Sequence, residues 1–355
     1  MLARTAENLY WLGRYLERAE GVARLADVNL QASTEQLAGT ATDAWEAVIA
    51  TLGAQEAYDA AQARAMQARS QFQMTSDVVF QQQTSAPGDP PMPPLVSPEE
   101  FLIFSTQNPI SLVSTIGIAR SLARETREYL SREVFEEINR LYLTTSRASA
   151  QQALPALYAN VKRSVAAILG MFDNTVVLSE GREWFRVGLF LERADMTARI
   201  IDAKYFVLLP TVQDVGGPID RYQWMAVLRS ASALEAFRKE HRGPVTGPRV
   251  VSMLMFDRNF PRSLAFSVAA LRRHFERATR DTPDTRVIRA AREVALIELD
   301  LRAADADNLV FRGLHEFLDE FEVRLNAIDL ALQEDIFRAR PDGIEANAGS
   351  EESAG

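Results

Sequence analysis

The segment GRYLERAEGVARLAD at residues 13–27 returns as GLFLERADMTARIID at residues 188–202. Half of the sixteen pairs that align residues 12–27 with residues 187–202 are identical. Charged residues on a helix surface usually drift between two copies, because exchanging them changes stability by no more than about 0.5 kcal/mol. Both copies nevertheless keep a Glu-Arg pair, a later Arg and a final Asp. The repeat therefore predicts two related helices whose retained charges share a role.

The retained charges form a candidate structural or anion-binding motif. Its members are Glu17, Arg18, Arg24, Asp27, Glu192, Arg193, Arg199 and Asp202. On a helical wheel of the first copy, Leu12 and Leu16 belong to an apolar stripe, and Glu17 lies near the centre of the opposite side. The wheel thus gives a helix with one apolar face and one charged face.

Three interpretations of this charged face are open. The first is a solvated face with ion pairs between residues four apart, each adding only a few tenths of a kcal/mol. The second is a buried layer in which Glu17 and Arg18 pair with Arg193 and Glu192. Such pairs impose register, although desolvation cancels much of their attraction. The third is a polar cavity whose arginines bind a carboxylate or a phosphate bidentately.

Composition narrows the classes of function. The chain has 355 residues, a formal net charge of -9 and no cysteine. The acidic balance argues against general binding to phosphate backbones, which requires clustered Lys and Arg. Without cysteine there is no disulfide, thiolate nucleophile or Cys-ligated metal. The opening residues lack a secretory signal, and no run approaches the roughly 20 apolar residues of a membrane span. We expect a soluble, cytoplasmic protein that binds neither nucleic acid nor membrane.

Apolar residues recur mostly at three-to-four spacing, which predicts an almost wholly helical chain. Amphipathic helices joined by short connections bury their apolar stripes against one another. We therefore expect an all-α fold. It would be a single large multi-helix bundle over residues 1–340 with an internal pseudo-twofold repeat, and the repeated helices would lie near its axis.

Proline and glutamine mark one interruption of the helical pattern. Residues 70–97 contain QQQ at 81–83 and PGDPPMPP at 87–94, which cannot continue a helix. They predict a mobile surface insertion, after which Ser97 caps a new helix. Asn259 is also placed to cap a helix, and the acidic residues 341–355 predict a disordered tail. Among the predicted helices are those at residues 5–37, 43–69, 183–208, 220–241 and 284–309.

Recognised catalytic constellations are missing from the sequence. It has neither a GxxxxGK[ST] phosphate loop nor a GxSxG nucleophile elbow. His241, His274 and His315 lack a Glu three positions before them, so the Glu-x-x-His pair of a di-iron bundle is missing too. We interpret each His as a surface or helix-end residue. The sequence predicts no catalytic residue, no metal and no cofactor, and an enzyme is the less favoured interpretation.

The opening LARTAENLYWLGRYLERAE at residues 2–20 resembles the start of the bacterial alpha-E domain family, which is all helical and named for its Glu-Arg motif. Residues 188–202 resemble the second such stretch of the family. Two weaker marks, at residues 108–111 and 256–263, are similar to its middle and late motifs. The resemblance extends to about Arg338. This chain departs from the pattern at Leu189, which stands where the first copy has Arg14, so a site that needs both arginines lacks one.

The resemblance implies no established activity. Members of the family look like companions of ATP-grasp ligase-like and transglutaminase-like proteins, in systems suspected of making or trimming peptide or amide bonds. The leading hypothesis is therefore a helical scaffold or accessory protein that docks with such a partner. The alternative is an enzyme or anionic small-molecule binder, with Glu17 and Glu192 as acid/base groups beside the retained arginines. A closed layer of ion pairs would favour the first hypothesis, and a solvent-connected cavity the second.

Overall fold

The computed structural model describes residues 1–34, 41–80, 95–148, 154–206 and 216–338. Over these ranges the chain is helical and contains no strand, which confirms the all-α class. The α-helices in chain order are α1 (Ala3–Thr34), α2 (Ala41–Thr51), α3 (Gln55–Phe80), α4 (Pro98–Ile103), α5 (Leu112–Glu125), α6 (Arg132–Ser146), α7 (Leu154–Thr175), α8 (Glu180–Phe206), α9 (Pro218–Ser230), α10 (Leu234–Glu240), α11 (Gly247–Val251), α12 (Leu264–Ala278), α13 (Asp284–Ala303), α14 (Ala306–Arg312) and α15 (Leu314–Ala331).

The two repeated segments form the centre of the fold. They lie in α1 and α8, which make the most extensive helix pair of the described chain. Their backbones meet at two glycines. A Cβ atom on Gly188 would lie 2.8 Å from the carbonyl carbon of Tyr10, and one on Gly13 would lie 2.9 Å from the amide nitrogen of Leu189. Only glycine permits so close an approach of two backbones.

Each helix of this pair forms a set of four with three other helices. In the first set, α1 packs on α5, α5 on α6, α6 on α7, and α7 returns to α1. In the second, α8 packs on α12, α12 on α13, α13 on α15, and α15 returns to α8. One contiguous cluster of buried apolar side chains runs through both sets. The packing order is the same in both sets, while a pseudo-twofold relation of the whole chain stays a prediction.

Three predicted helices are each divided into two, and the predictions are wrong there. Residues 43–69 break between α2 and α3 at Gly53, whose φ is +65°. Residues 220–241 break between α9 and α10 at Ser232, whose φ is +52°. Residues 284–309 break between α13 and α14, where Ala304 and Asp305 have extended backbones and Asp305 caps α14. One left-handed residue or two extended residues end a helix without disturbing the apolar spacing on either side, so periodicity did not reveal these breaks.

The predicted insertion at residues 70–97 is wrong over residues 70–80, which are helical. Helix α3 continues to Phe80, because residues 70–80 contain no proline or glycine to stop it. The proline-rich residues 81–94, which we predicted to be mobile, lie outside the described residues. The expected tail at 341–355 also lies outside them, so the domain limits 1–340 stay a prediction.

Serine side chains cap several of the helices that follow loops, including α4, α5 and α12. Ser97 accepts a hydrogen bond from the Glu100 amide at 3.1 Å, as predicted. Ser111 caps α5 in the same way, and Ser263 caps α12 with a 3.0 Å bond from the Phe266 amide. The cap of α12 is thus Ser263 and not Asn259, which we had predicted as a cap. Asn259 lies earlier, in a turn where its amide donates to the Asp257 carboxylate.

Candidate functional site

The Glu-Arg dipeptides of the two repeats exchange partners across the contact between α1 and α8. Arg193 donates from Nε and Nη2 to the two carboxylate oxygens of Glu17, both at 2.8 Å. In return, Arg18 donates from Nε and Nη2 to the oxygens of Glu192 at 2.5 and 2.9 Å. Each is a bidentate, charge-assisted pair. Glu17 and Glu192 are each only 1% exposed. The structure therefore contains the buried cross-pairing that was the second interpretation of the sequence.

Each of the two glutamates also holds a second arginine, which the sequence analysis did not place in the motif. Arg14 donates from Nε to Glu192 at 2.7 Å. Leu189 occupies the corresponding position in the second repeat, and Arg262 from the turn before α12 takes over by donating to Glu17 at 3.1 Å. The missing arginine is thus supplied by a distant part of the chain. We refer to Glu17, Glu192 and these four arginines as the Glu-Arg layer.

Burial and charge act in opposite directions on the glutamates of the layer. Burial raises the pKa of the Glu17 carboxyl, but Arg193 and Arg262 outweigh it and bring that pKa down to about 2. Burial likewise raises the pKa of Glu192, and Arg18 and Arg14 lower it by more. Both carboxylates are therefore ionised at neutral pH, and the arginines hold them in that state.

The next residues along the helices extend the network outward. Arg24 donates to Glu20 one turn earlier, and Arg199 donates to Asp195 in the same way at 2.9 Å. Arg262 donates to Glu20 as well, and Arg199 lies 3.2 Å from Glu322 on α15. The pairs Arg24–Glu20 and Arg199–Asp195 have the four-residue spacing of the first interpretation, but they are largely buried. Arg24 and Arg199 thus join the layer to its surroundings.

The two retained aspartates do not enter the layer. Asp27 accepts a 2.5 Å bond from Lys162 of α7. Asp202 lies 2.7 Å from Nδ1 of His315 on α15. Each aspartate therefore connects its own repeated helix to a different neighbouring helix. The corresponding positions thus make the same type of contact with different basic residues.

The histidines only partly match the interpretation as surface or helix-end residues. His315 is the second residue of α15 and is 41% exposed in its side chain. Its other ring nitrogen, Nε2, lies 3.5 Å from Asp319, so Asp202, His315 and Asp319 could hold a metal ion. His274 corrects the expectation, because it lies within α12, stacks on Phe190 and approaches Glu183 at 2.5 Å.

Other residues of the ion-pair network around the Glu-Arg layer were not part of the predicted motif. Tyr10 and Arg14 both donate to Asp329 of α15, and burial raises the pKa of Tyr10 well above its ordinary value. The two repeats both have an acidic residue at one further position, Glu20 in the first and Asp195 in the second. This was a sequence signal for two more residues of the ion-pair network. Arg262 lies in the segment 256–263, whose similarity to a family motif was a weaker signal. Asp329 has no counterpart in either repeat, so the sequence offered no signal for it.

Acidification is expected to remove the stabilisation contributed by Glu17. The pKa of about 2 in the folded chain lies below the ordinary value of 4.5, so the folded state binds fewer protons at this group than the unfolded state. The contribution is complete above about pH 4.5 and disappears as the pH falls through 2, a loss on the order of 3 kcal/mol. Urea unfolding of the protein and of Glu17→Gln, compared from pH 7 to pH 3, measures it. The stability gap between the two should narrow as the pH falls, and a constant gap would contradict the prediction.

A family model described as a predicted alpha-helical domain with a conserved ER motif matches residues 1–337. The protein belongs to the Alpha-E family. The comparisons with curated proteins and with solved structures gave no match. In this Alpha-E chain the repeated Glu-Arg dipeptides, Glu17-Arg18 and Glu192-Arg193, form the two reciprocal pairs of the structure. Among the described residues of the Alpha-E chain, no helix combines the length and apolarity needed to cross a membrane.

Proposed function

We propose that this Alpha-E protein is a non-enzymatic helical scaffold of the bacterial cytoplasm. It docks with an ATP-grasp ligase-like or a transglutaminase-like protein in a system that makes or trims peptide or amide bonds. The observation that carries the proposal is the closed state of the Glu-Arg layer. Its two glutamates are 1% exposed, and each is bonded to two guanidinium groups.

Such a layer fits a structural role better than acid/base chemistry. A general acid or base works best when its pKa lies near the working pH and when it can reach the proton it transfers. The pKa of Glu17 is about 2, and both of its oxygens already accept hydrogen bonds from arginine. The bidentate edges of Arg18 and Arg193 are likewise turned to protein carboxylates. The alternative function, an enzyme or an anion binder at these residues, therefore has no free base or free bidentate edge to use.

The layer instead fixes the register of α1 against α8. A buried pair adds little net stability compared with apolar packing, but any shift of one helix along the other would leave charges buried without partners. The surfaces that project from the two four-helix sets are therefore held in one relative arrangement. A rigid presentation of surface is what a scaffold requires.

We assign the docking surface to one end of the bundle. Leu2, Val177 and Leu178 are 77%, 78% and 77% exposed. The amino group of Met1 donates to Glu180 at 2.7 Å, which places the start of the chain beside the turn that contains Val177 and Leu178. A group of exposed large apolar side chains is typical of a protein–protein contact.

Co-purification tests the proposal. The protein is purified from a native lysate in mild salt, and its companions are identified by mass spectrometry. We expect a ligase-like or transglutaminase-like protein to be recovered with it and to be lost with the variant Val177→Asp/Leu178→Asp. The matched control is Val323→Asp on α15, where the valine is 65% exposed and lies outside this surface. Recovery of a bare monomer, or equal recovery with both variants, would contradict the proposal.

A further inference from the structure

A second charged region lies on the surface of α12 and α13, away from the Glu-Arg layer. It is a groove with a volume of about 390 Å³, at the small end of the range for small-molecule sites. Its apolar walls are formed by Phe256, Val268 and Leu301, and its polar groups are Arg258, Arg272, Arg302 and Glu298. Three guanidinium groups thus face one carboxylate in a chain whose formal net charge is -9.

The arginines of this groove are poorly neutralised. Arg272 lies 3.5 Å from Glu298 and 3.8 Å from Glu276, and Arg302 lies 3.8 Å from Glu298. These separations exceed the usual 2.7–2.9 Å of a charge-assisted hydrogen bond. Arg258 forms no hydrogen bond or ion pair with any residue in the described part of the chain. The groove therefore keeps an uncompensated positive charge next to an apolar surface.

The turn at residues 257–263 holds Arg258 at the groove. The Asp257 carboxylate accepts a 2.7 Å bond from the Asn259 amide, and the Ser263 hydroxyl donates to the Asp257 carbonyl oxygen. Arg262, four residues after Arg258, is fixed at the other side of the turn by Glu17. One short segment thus supplies an arginine to the buried layer and another to the surface groove. An arginine on a braced turn loses less freedom when it binds a ligand.

We propose that this groove binds a carboxylate that is attached to an apolar group, such as the C-terminal residue of a peptide or a free N-acylated amino acid. The planar guanidinium fork matches the two oxygens of a carboxylate. The apolar walls take the side chain next to it. Glu298 competes with the ligand for Arg272 and Arg302, so it limits the affinity. The site does not depend on the docking role proposed above, because it involves neither the apolar end of the bundle nor the Glu-Arg layer.

Calorimetric titration with three probes tests the site. The probes are N-acetyl-leucine, the peptide acetyl-Ala-Ala-Leu with a free carboxylate, and the same peptide as its C-terminal amide. We expect the peptide acid to bind and the amide to bind at least about tenfold more weakly, because the amide removes the charge that the arginines recognise. Binding of N-acetyl-leucine with equal affinity would show that the last residue suffices, and weaker binding would assign the site to peptide ends.

Substitutions test whether the peptide acid binds in this groove or is attracted to any exposed arginine. Arg258→Gln and Arg272→Gln should each weaken binding of the peptide acid by about tenfold or more. Glu298→Gln should strengthen it, because the competing carboxylate is removed. The matched control is Arg238→Gln on α10, where the arginine is 57% exposed and, among the described residues, pairs only with Glu235 at 3.3 Å. The three arginines are exposed, whereas the Glu298 side chain is 15% exposed, and thermal melts check that all four variants are folded. The proposal is overturned if no acid binds, if the amide binds as well as the acid, or if the groove variants behave like the control.

Discussion

Replacement of Gly188 by alanine is expected to lower the free energy of unfolding by about 3 kcal/mol. The new Cβ would press on the backbone carbonyl of Tyr10 in α1, 2.8 Å from its carbon atom. A backbone group cannot rotate away as a side chain can, so α1 and α8 would have to separate. That separation would also stretch the reciprocal pairs at Glu17 and Glu192, which depend on the spacing of the two helices. Chemical denaturation of the purified variant measures the loss.

Gly170 provides a matched control for this substitution. It also lies within a long helix, α7, but apart from the backbone of that helix no heavy atom of the described residues lies within 4 Å of the position that its Cβ would take. Gly170→Ala should therefore stabilise the protein by about 0.5–1 kcal/mol, because alanine favours the helical backbone. If Gly188→Ala stabilised the protein as Gly170→Ala does, the close contact of α1 and α8 would be wrong.

Loss of one partner from a reciprocal pair is expected to be more costly still. Arg193→Ala removes both hydrogen bonds of the bidentate pair and leaves Glu17 buried with Arg262 as its remaining direct partner. Glu17→Gln removes the charge and leaves two arginines facing an amide. Each change should cost about 3–5 kcal/mol, the range for breaking a buried ion pair. Urea unfolding of the two single variants and the double variant gives the four corners of a double-mutant cycle.

The coupling energy of that cycle is the decisive quantity. Once one partner of the pair has been replaced, replacing the other lowers the stability by less. The double variant should therefore be about 1–3 kcal/mol more stable than the sum of the two losses implies. The matched control cycle combines Glu17→Gln with Arg238→Ala. Arg238 is 57% exposed in its side chain and, within the part of the chain that the structure describes, pairs only with Glu235 and makes no contact with the layer, so those effects should add. Simple additivity in the first cycle would mean that Glu17 and Arg193 do not interact.

Local patterns determined the helices but not all of their ends. Three-to-four spacing of apolar residues was enough to predict the all-α class, because each helix must bury one face. It joined α2 to α3, α9 to α10 and α13 to α14, since one left-handed or two extended residues leave the spacing on both sides intact. The predicted end of α3, at residue 69, was also too early, because the glutamines and prolines of residues 81–94 were expected to disrupt residues 70–80 as well.

Internal comparison determined part of the candidate site. The eight retained charges were found because two copies in one chain kept them, and four of these, Glu17, Arg18, Glu192 and Arg193, form the reciprocal pairs. Arg24 and Arg199 border the layer, and Asp27 and Asp202 connect to other helices instead. A repeat shows that residues are restrained, but the restraint can come from different neighbours at each position.

The sequence by itself determined that the chain is helical and that two distant helices carry the same restrained charges. Only the tertiary structure decided that the charged side of α1 is covered by other helices, with Glu17 as deeply buried as the apolar residues. A helical wheel records which residues share a face, but it contains no information about what covers that face. The second arginine on Glu17 comes from a position 245 residues away, in a turn that has no counterpart in the repeat. Such partners are brought together by the packing of whole helices, and no local spacing in the chain encodes them.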